Sequence, residues 1–267
     1  MTDSKYIQIQ NVEQAFKTPK GRFVALRDIQ LNVAKGEFVA LIGHSGCGKS
    51  TLLKMVAGLL EPTDGRLLLW RRPVAQLEEC TNKMAFVFQS PTLMPWASVQ
   101  ANVRLPLDLA KVPRAEADAR VAEALELVGL AKFAKALPRA LSGGMQMRVS
   151  IARGLVVQPN LLLMDEPFGA LDEITRHKLD ADLLELWRKK KLTVVFVTHS
   201  IHEAVFLSSR VIMMAARPGR IVEEVRIDEP YPRSADFMVS PEFTHYAKHL
   251  QRSLLAASQA NDEEAVL

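Results

Sequence analysis

The chain has 267 residues, of which 48% are hydrophobic and 24% charged, and its formal net charge is +4. This is the composition of an ordinary globular protein, long enough to bury a real core. Cys47 and Cys80 are too few for a disulfide framework, and no window approaches the roughly 18 apolar residues that a bilayer span needs. Met1 to Lys5 lack the apolar core of a signal peptide, so a reduced, cytoplasmic setting is expected, with any membrane role peripheral.

Tyr6 to Val12 alternates apolar and polar residues, and Leu31-Asn32-Val33 repeats the pattern after the turn Thr18-Pro19-Lys20-Gly21. The chain therefore starts as antiparallel β. Phe16 and Phe23 lie between these stretches, and either is a core residue or an aromatic platform for a base. Phe38 to Ile42 then reads as a buried strand, and Leu52 to Gly58 as a helix ending at glycine. Between them, Gly43-His44-Ser45-Gly46-Cys47-Gly48-Lys49-Ser50-Thr51 fits the phosphate-loop pattern G-x-x-x-x-G-K-[ST]. The glycines let successive N–H groups turn toward phosphate oxygens at the positive end of the new helix. In such a loop Lys49 reaches the β and γ phosphates of a nucleoside triphosphate and the Ser50 hydroxyl ligates Mg²⁺.

Further along, Glu61 to Gly65 reads as a turn, Arg66 to Trp70 as a strand, and Met84 to Phe88 as another that ends at Gln89. From Ser90 to about Gln158 the pattern is helical, with Val121, Leu125 and Val128 on one face and Gly129 closing that helix. Strands resume at Leu161 to Met164, followed by a helix carrying Leu179, Leu183 and Leu186, then Thr193 to Val197 and Val211 to Met214. Apolar runs this continuous, alternating with helices, predict parallel strands covered on both faces. Arg188-Lys189-Lys190-Lys191 reads as the solvated, dipole-favoured end of its helix, with a nucleic-acid patch as the alternative. Beyond Asp228 no strong pattern appears, and Asn261 to Glu264 is expected to fray.

Two stretches carry further chemistry. Leu161 to Met164 runs into Asp165-Glu166, and carboxylates at the end of a buried strand are costly unless something there needs them. Asp165 is placed to hold Mg²⁺ and Glu166 to polarise an attacking water. Leu141-Ser142-Gly143-Gly144-Met145 precedes a helix, and by itself reads as a capped helix start or as a second anion site.

Gly43 to Ser50, Gln89, Leu141 to Met145, Leu161 to Glu166, Ala170-Leu171-Asp172 and His199 stand in the order and spacing of the nucleotide-binding subunit of ABC transporters. The chain resembles that family over roughly residues 6 to 225. The resemblance implies an α/β P-loop NTPase: a RecA-like parallel sheet with an antiparallel β segment at its start and an inserted α-helical subdomain. Residues 1–90 and 159–227 would form the ATP-binding core, 91–158 the helical subdomain, and 228–267 a C-terminal tail. It implies that Ser142, Gly143 and Gly144 close over the γ phosphate of ATP held by a second subunit, identical or closely related. Gln89 would sense Mg²⁺ and the lytic water, His199 would contact the γ phosphate, Asp172 would link the two sites, and Phe16 would stack on adenine.

Met147 stands where members of the family often have a polar residue, which is expected to weaken a contact near the partner's nucleotide. Pro91 to Trp96 is by default a packed loop; in the family's importers this region receives a cytoplasmic helix of the membrane permease. Within the family the motifs look most like importers of nitrate, sulfonate, taurine and similar anions, the nitrate branch first, so a permease and, indirectly, a periplasmic solute-binding protein are implied. Nucleic acid is not expected as a partner. The competing readings are a soluble cassette ATPase acting on nucleic acid or ribosomes, and an exporter subunit.

Overall fold

The computed structural model describes residues 5–19, 21–79, 82–169 and 171–264, so Cys80 and Ala170 lie outside the described residues. The backbone gathers into two compact units, Met1–Cys80 with Thr193–Leu267, and Thr81–Leu192.

In the first unit β1 (Ile7–Thr18) and β2 (Gly21–Val33) pair antiparallel. Ile7, Ile9 and Val12 are buried, and a register shift between Ile9 and Val12 accounts for the break in their two-residue spacing. Past further shifts, Phe16 sits directly opposite Phe23, and the two are 39% and 54% exposed, so neither is a core residue. β4 (Asp64–Leu69) pairs with the other edge of β1 and β5 (Arg72–Pro73) with β4, completing a four-stranded antiparallel sheet.

The unit's second sheet is centred on β3 (Phe38–Gly43), with β8 (Thr193–Val197) and β9 (Arg210–Ala215) parallel to it on either side. β10 (Arg220–Arg226) runs antiparallel along the outer edge of β9. Every residue of β3 and β8 is buried, which is why their sequences read as continuous apolar runs. Helices α1 (Lys49–Val56) and α6 (Ile201–Leu207) pack on these strands.

The region after Asp228, expected to lack a pattern, instead forms α7 (Ala235–Met238) and α8 (Pro241–Glu264), and helix persists through Asn261 to Glu264. Its anchor is sparse: Phe243 and Leu250, seven residues apart on one face, are buried, and the Phe237 ring stands edge-on to Phe243 at 5.2 Å. Burial of each such side chain contributes about 1.5–3 kcal/mol, enough to hold an otherwise polar helix.

In the second unit β6 (Met84–Val87) and β7 (Leu161–Asp165) are parallel neighbours. Around them lie α2 (Val99–Leu109), α3 (Arg114–Leu127), α4 (Gly143–Leu155) and α5 (Glu173–Lys190). α3 buries Val121 and Leu125 and closes before Gly129 at φ 69°. α5 buries Leu179, Leu183 and Leu186, and its basic end is a helix terminus, with Lys189 paired to Glu185 at 2.6 Å and Lys190 to Glu123 at 2.7 Å. Among the described residues no helix is long and apolar enough to cross a membrane.

Candidate functional site

The first unit carries the phosphate loop. β3 delivers the chain to Gly43, and α1 begins at Lys49. Gly48, the residue before α1, has φ 95°, and a Cβ there would collide with the Leu26 side chain, so glycine is required on both counts. Gly48 supplies no side-chain acceptor to the first turn of α1, which leaves that helix end suited to an anion. His44, Ser45 and Gly46 are exposed while Cys47 is buried, so the Cys47 side chain is packing and the loop offers its backbone. The Lys49 ammonium donates to the carbonyls of Gly43 at 2.8 Å and His44 at 3.3 Å, which holds it within the loop; Ser50 and Thr51 follow in the first turn of α1. The His44 ring nitrogen Nε2 lies 3.4 Å from the Leu254 carbonyl of α8.

The same unit carries His199, exposed in the turn between β8 and α6, and the exposed Phe16 of β1.

The second unit carries the carboxylates. β7 ends in the buried Asp165, and Glu166 follows at φ 46°, a left-handed conformation costing about 1 kcal/mol or more for a residue with a side chain. That turn brings Glu166 to Gln89, 77 residues earlier, whose side-chain amide donates to Glu166 Oε2 at 3.2 Å. With its nitrogen committed in this way, Gln89 has its carbonyl oxygen as the atom to offer a cation. Asp165 and the Ser50 hydroxyl are likewise hard oxygen donors, the type that suits Mg²⁺.

Ser142 caps α4, its hydroxyl accepting from the Met145 N–H at 3.3 Å, and Gly143 and Gly144 form the first turn, with Ser142 and Gly143 exposed. Met147 is buried, its side chain part of the core rather than of the exposed helix start. Asp172 caps α5, accepting from the Thr175 N–H at 2.9 Å; bonding to Thr175 holds its carboxyl below the usual aspartate range. Ser142, Gly143 and Asp172 are all exposed to solvent.

The loop after β6 is packed only in part, with Leu93 and Met94 half-buried. Trp96 is 77% exposed, yet the loop around it is rigidly held. The fully buried Asn102 of α2 accepts from the Met94 N–H at 2.7 Å and donates to the carbonyls of Met94, Ala97 and Ser98. Arg153 of α4 donates to the carbonyls of Pro91 and Thr92, both at 2.9 Å, and burial pushes its pKa down. Sequence reasoning missed both residues. Asn102 has one legible signal, an amide amid the apolar positions of a helix, and Arg153 has none.

Compared with known proteins, residues 26–169 match the family model described as ABC transporter. The ABC transporter ATP-binding protein MJ0412 of Methanocaldococcus jannaschii, whose name states no substrate, is 45% identical over 91% of this chain and 89% of its own. The nitrate import ATP-binding protein NrtD of Synechococcus elongatus is 41% identical over 91% of this chain and 88% of its own. Among solved structures, the dimeric post-hydrolysis state of the ATP-binding cassette MJ0796 bound to ADP and phosphate superposes with a TM-score of 0.76. It is 33% identical and covers 84% of this chain and 100% of its own. The fold is that of these cassettes, the α/β P-loop NTPase fold.

Proposed function

We propose that this chain, which belongs to the ABC transporter family as an ATP-hydrolysing cassette, is the subunit that energises import of a small anion through a membrane permease. The observation that carries the import reading is Trp96, exposed on a loop that Asn102 and Arg153 hold rigid only seven residues after Gln89. A solvent-facing tryptophan on a preorganised loop is the usual anchor of a protein interface. The permease docks there in this reading, and Gln89 ties that surface to the nucleotide. The likeness to a nitrate import protein supports nitrate or nitrite as cargo, with sulfonates and taurine next. The subunit then works at the cytoplasmic face of the membrane, with a periplasmic solute-binding protein delivering the anion to the permease.

In this account ATP is held by Gly43 to Thr51, with Lys49 on the β and γ phosphates and Phe16 under the adenine. Ser50, Gln89 and Asp165 would hold Mg²⁺, which supplies charge neutralisation between the phosphates. Glu166 orients and polarises the attacking water through the carboxylate that Gln89 steadies, and His199 contacts the γ phosphate. The exposed Ser142 and Gly143, with the half-buried Gly144, serve the nucleotide of a second copy or close paralogue, with Asp172 linking the two sites. The ADP-bound dimer of a cassette with the same fold supports that pairing.

Ser142→Arg is expected to leave ATP binding by the isolated subunit within about twofold, because the lost cap costs only about 1 kcal/mol locally. The same protein is expected to lose ATPase activity, since the new side chain blocks closure; phosphate release checks this, and an active variant removes the trans-site model. The import reading is tested by reconstituting the subunit with its permease and binding protein. Labelled nitrate uptake that is ATP-dependent and competed by nitrite before taurine is expected, while ATPase activity stimulated by RNA or ribosomes and indifferent to all these anions would overturn it.

A further inference from the structure

Arg233 is 6% exposed, in a stretch that sequence patterning left without structure. Its guanidinium is spent on the end of α6. Nη1 donates to the carbonyls of Val205 at 2.8 Å, Phe206 at 3.0 Å and Ser208 at 2.9 Å. The Tyr231 hydroxyl takes the remaining carbonyl of that turn, Leu207, at 2.9 Å. The four carbonyls at this helix end, Val205 to Leu207 and that of the capping Ser208, are thus all bonded by two side chains of the tail. Arg233 is fixed in turn by the carbonyls of Ile227 at 3.2 Å and Glu229 at 3.1 Å, with its guanidinium carbon 4.3 Å from the Tyr231 ring centre and 5.5 Å from that of Phe237.

The other end of α6 is closed as tightly. Thr198, buried, donates its hydroxyl to the buried Glu203 carboxylate and accepts from the Ser200 N–H at 2.9 Å; Ser200 in turn accepts from the Glu203 N–H at 3.3 Å. His199, exposed, is the residue between Thr198 and Ser200, both of which are tied down. α6 has seven residues, so about 10 Å separates the Arg233 clamp from the histidine, with a rigid helix between. The His202 ring of α6 also lies 5.6 Å from Phe243 of α8.

We propose that Arg233 is a positioning residue for ATP hydrolysis, acting through α6 to hold the turn that carries His199. The inference rests on the reading of His199 as the γ-phosphate contact. It explains why a cation is buried on backbone carbonyls at a cost that only this many hydrogen bonds offset.

The test uses the full chain and measures kcat for phosphate release, ATP affinity with a fluorescent ATP analogue, and thermal midpoint for Arg233→Met, Tyr231→Phe, His199→Ala and the double variant His199→Ala/Arg233→Met. Arg233→Met is expected to lower kcat about tenfold with ATP affinity changed less than about twofold, and Tyr231→Phe to lower it about threefold. In the His199→Ala background, Arg233→Met is expected to change kcat no further. If Arg233→Met does not fold, Tyr231→Phe alone and in the His199→Ala background decides. Unchanged kcat in the folded variants, or losses that multiply with His199→Ala, would overturn the positioning role. A normal kcat for His199→Ala would instead overturn the reading of the histidine.

Discussion

Glu166→Gln is expected to lower ATP turnover by about 10²–10⁴-fold while ATP still binds with near-normal affinity. The substitution keeps the size and shape of the side chain, and the replacement amide oxygen can still accept the Gln89 amide that lies 3.2 Å from Glu166 Oε2. What it removes is the negative charge that, in the proposed mechanism, polarises a water for attack. The left-handed backbone at Glu166, φ 46°, holds that charge at the mouth of β7, and glutamine tolerates this geometry no worse than glutamate. Rates of phosphate release, set beside equilibrium binding of ATP, separate the chemical effect from a binding effect. Turnover within about threefold of the parent protein would remove Glu166 from the chemistry.

Lys49→Ala acts one step earlier. Charge-assisted hydrogen bonds contribute about 1.5–3 kcal/mol each, so loss of the ammonium is expected to weaken ATP affinity about tenfold to a hundredfold. The lysine also ties the loop together through the Gly43 and His44 carbonyls, so its removal loosens the cradle as well as discharging it. Titration with a fluorescent ATP analogue reads the effect directly, and normal affinity would count against the loop as the nucleotide's seat. The two variants thus fail differently: Glu166→Gln binds and does not turn over, whereas Lys49→Ala binds poorly from the start.

These residues were legible because their chemistry is local in sequence. The phosphate loop announces itself by glycines at positions where a side chain would be strained, as Gly48 illustrates at φ 95°. The parallel strands were legible because β3 and β8 are buried on both faces and carry no polar residue to disguise them beyond Thr193. The pairing of Gln89 with Glu166 was not legible from spacing, since it depends on a positive φ at a non-glycine residue. The opposition of Phe16 and Phe23 depends on register shifts in the β1–β2 pair, which periodicity alone does not reveal.

The tail was the largest departure. α8 is held by Phe243 and Leu250 among polar neighbours, a stripe too thin to stand out, and Arg233 looks in sequence like any solvated arginine. Only the packed structure shows that it is buried and that its partners are the carbonyls at the end of α6. Asn102 and Arg153 were hidden for the same reason: each satisfies the backbone of a loop that is distant or irregular, and irregular backbone has no period to read.

In the proposed mechanism one chain supplies half of each ATP site, the phosphate loop for its own nucleotide and Ser142 with its glycines for that of a second copy. The most direct test is the solution mass of Glu166→Gln with and without Mg-ATP. A monomer is expected without nucleotide, a dimer with Mg-ATP, and no dimer under either condition when Ser142→Arg is added. A protein that stays monomeric at saturating Mg-ATP, or a dimer indifferent to Ser142→Arg, would contradict it.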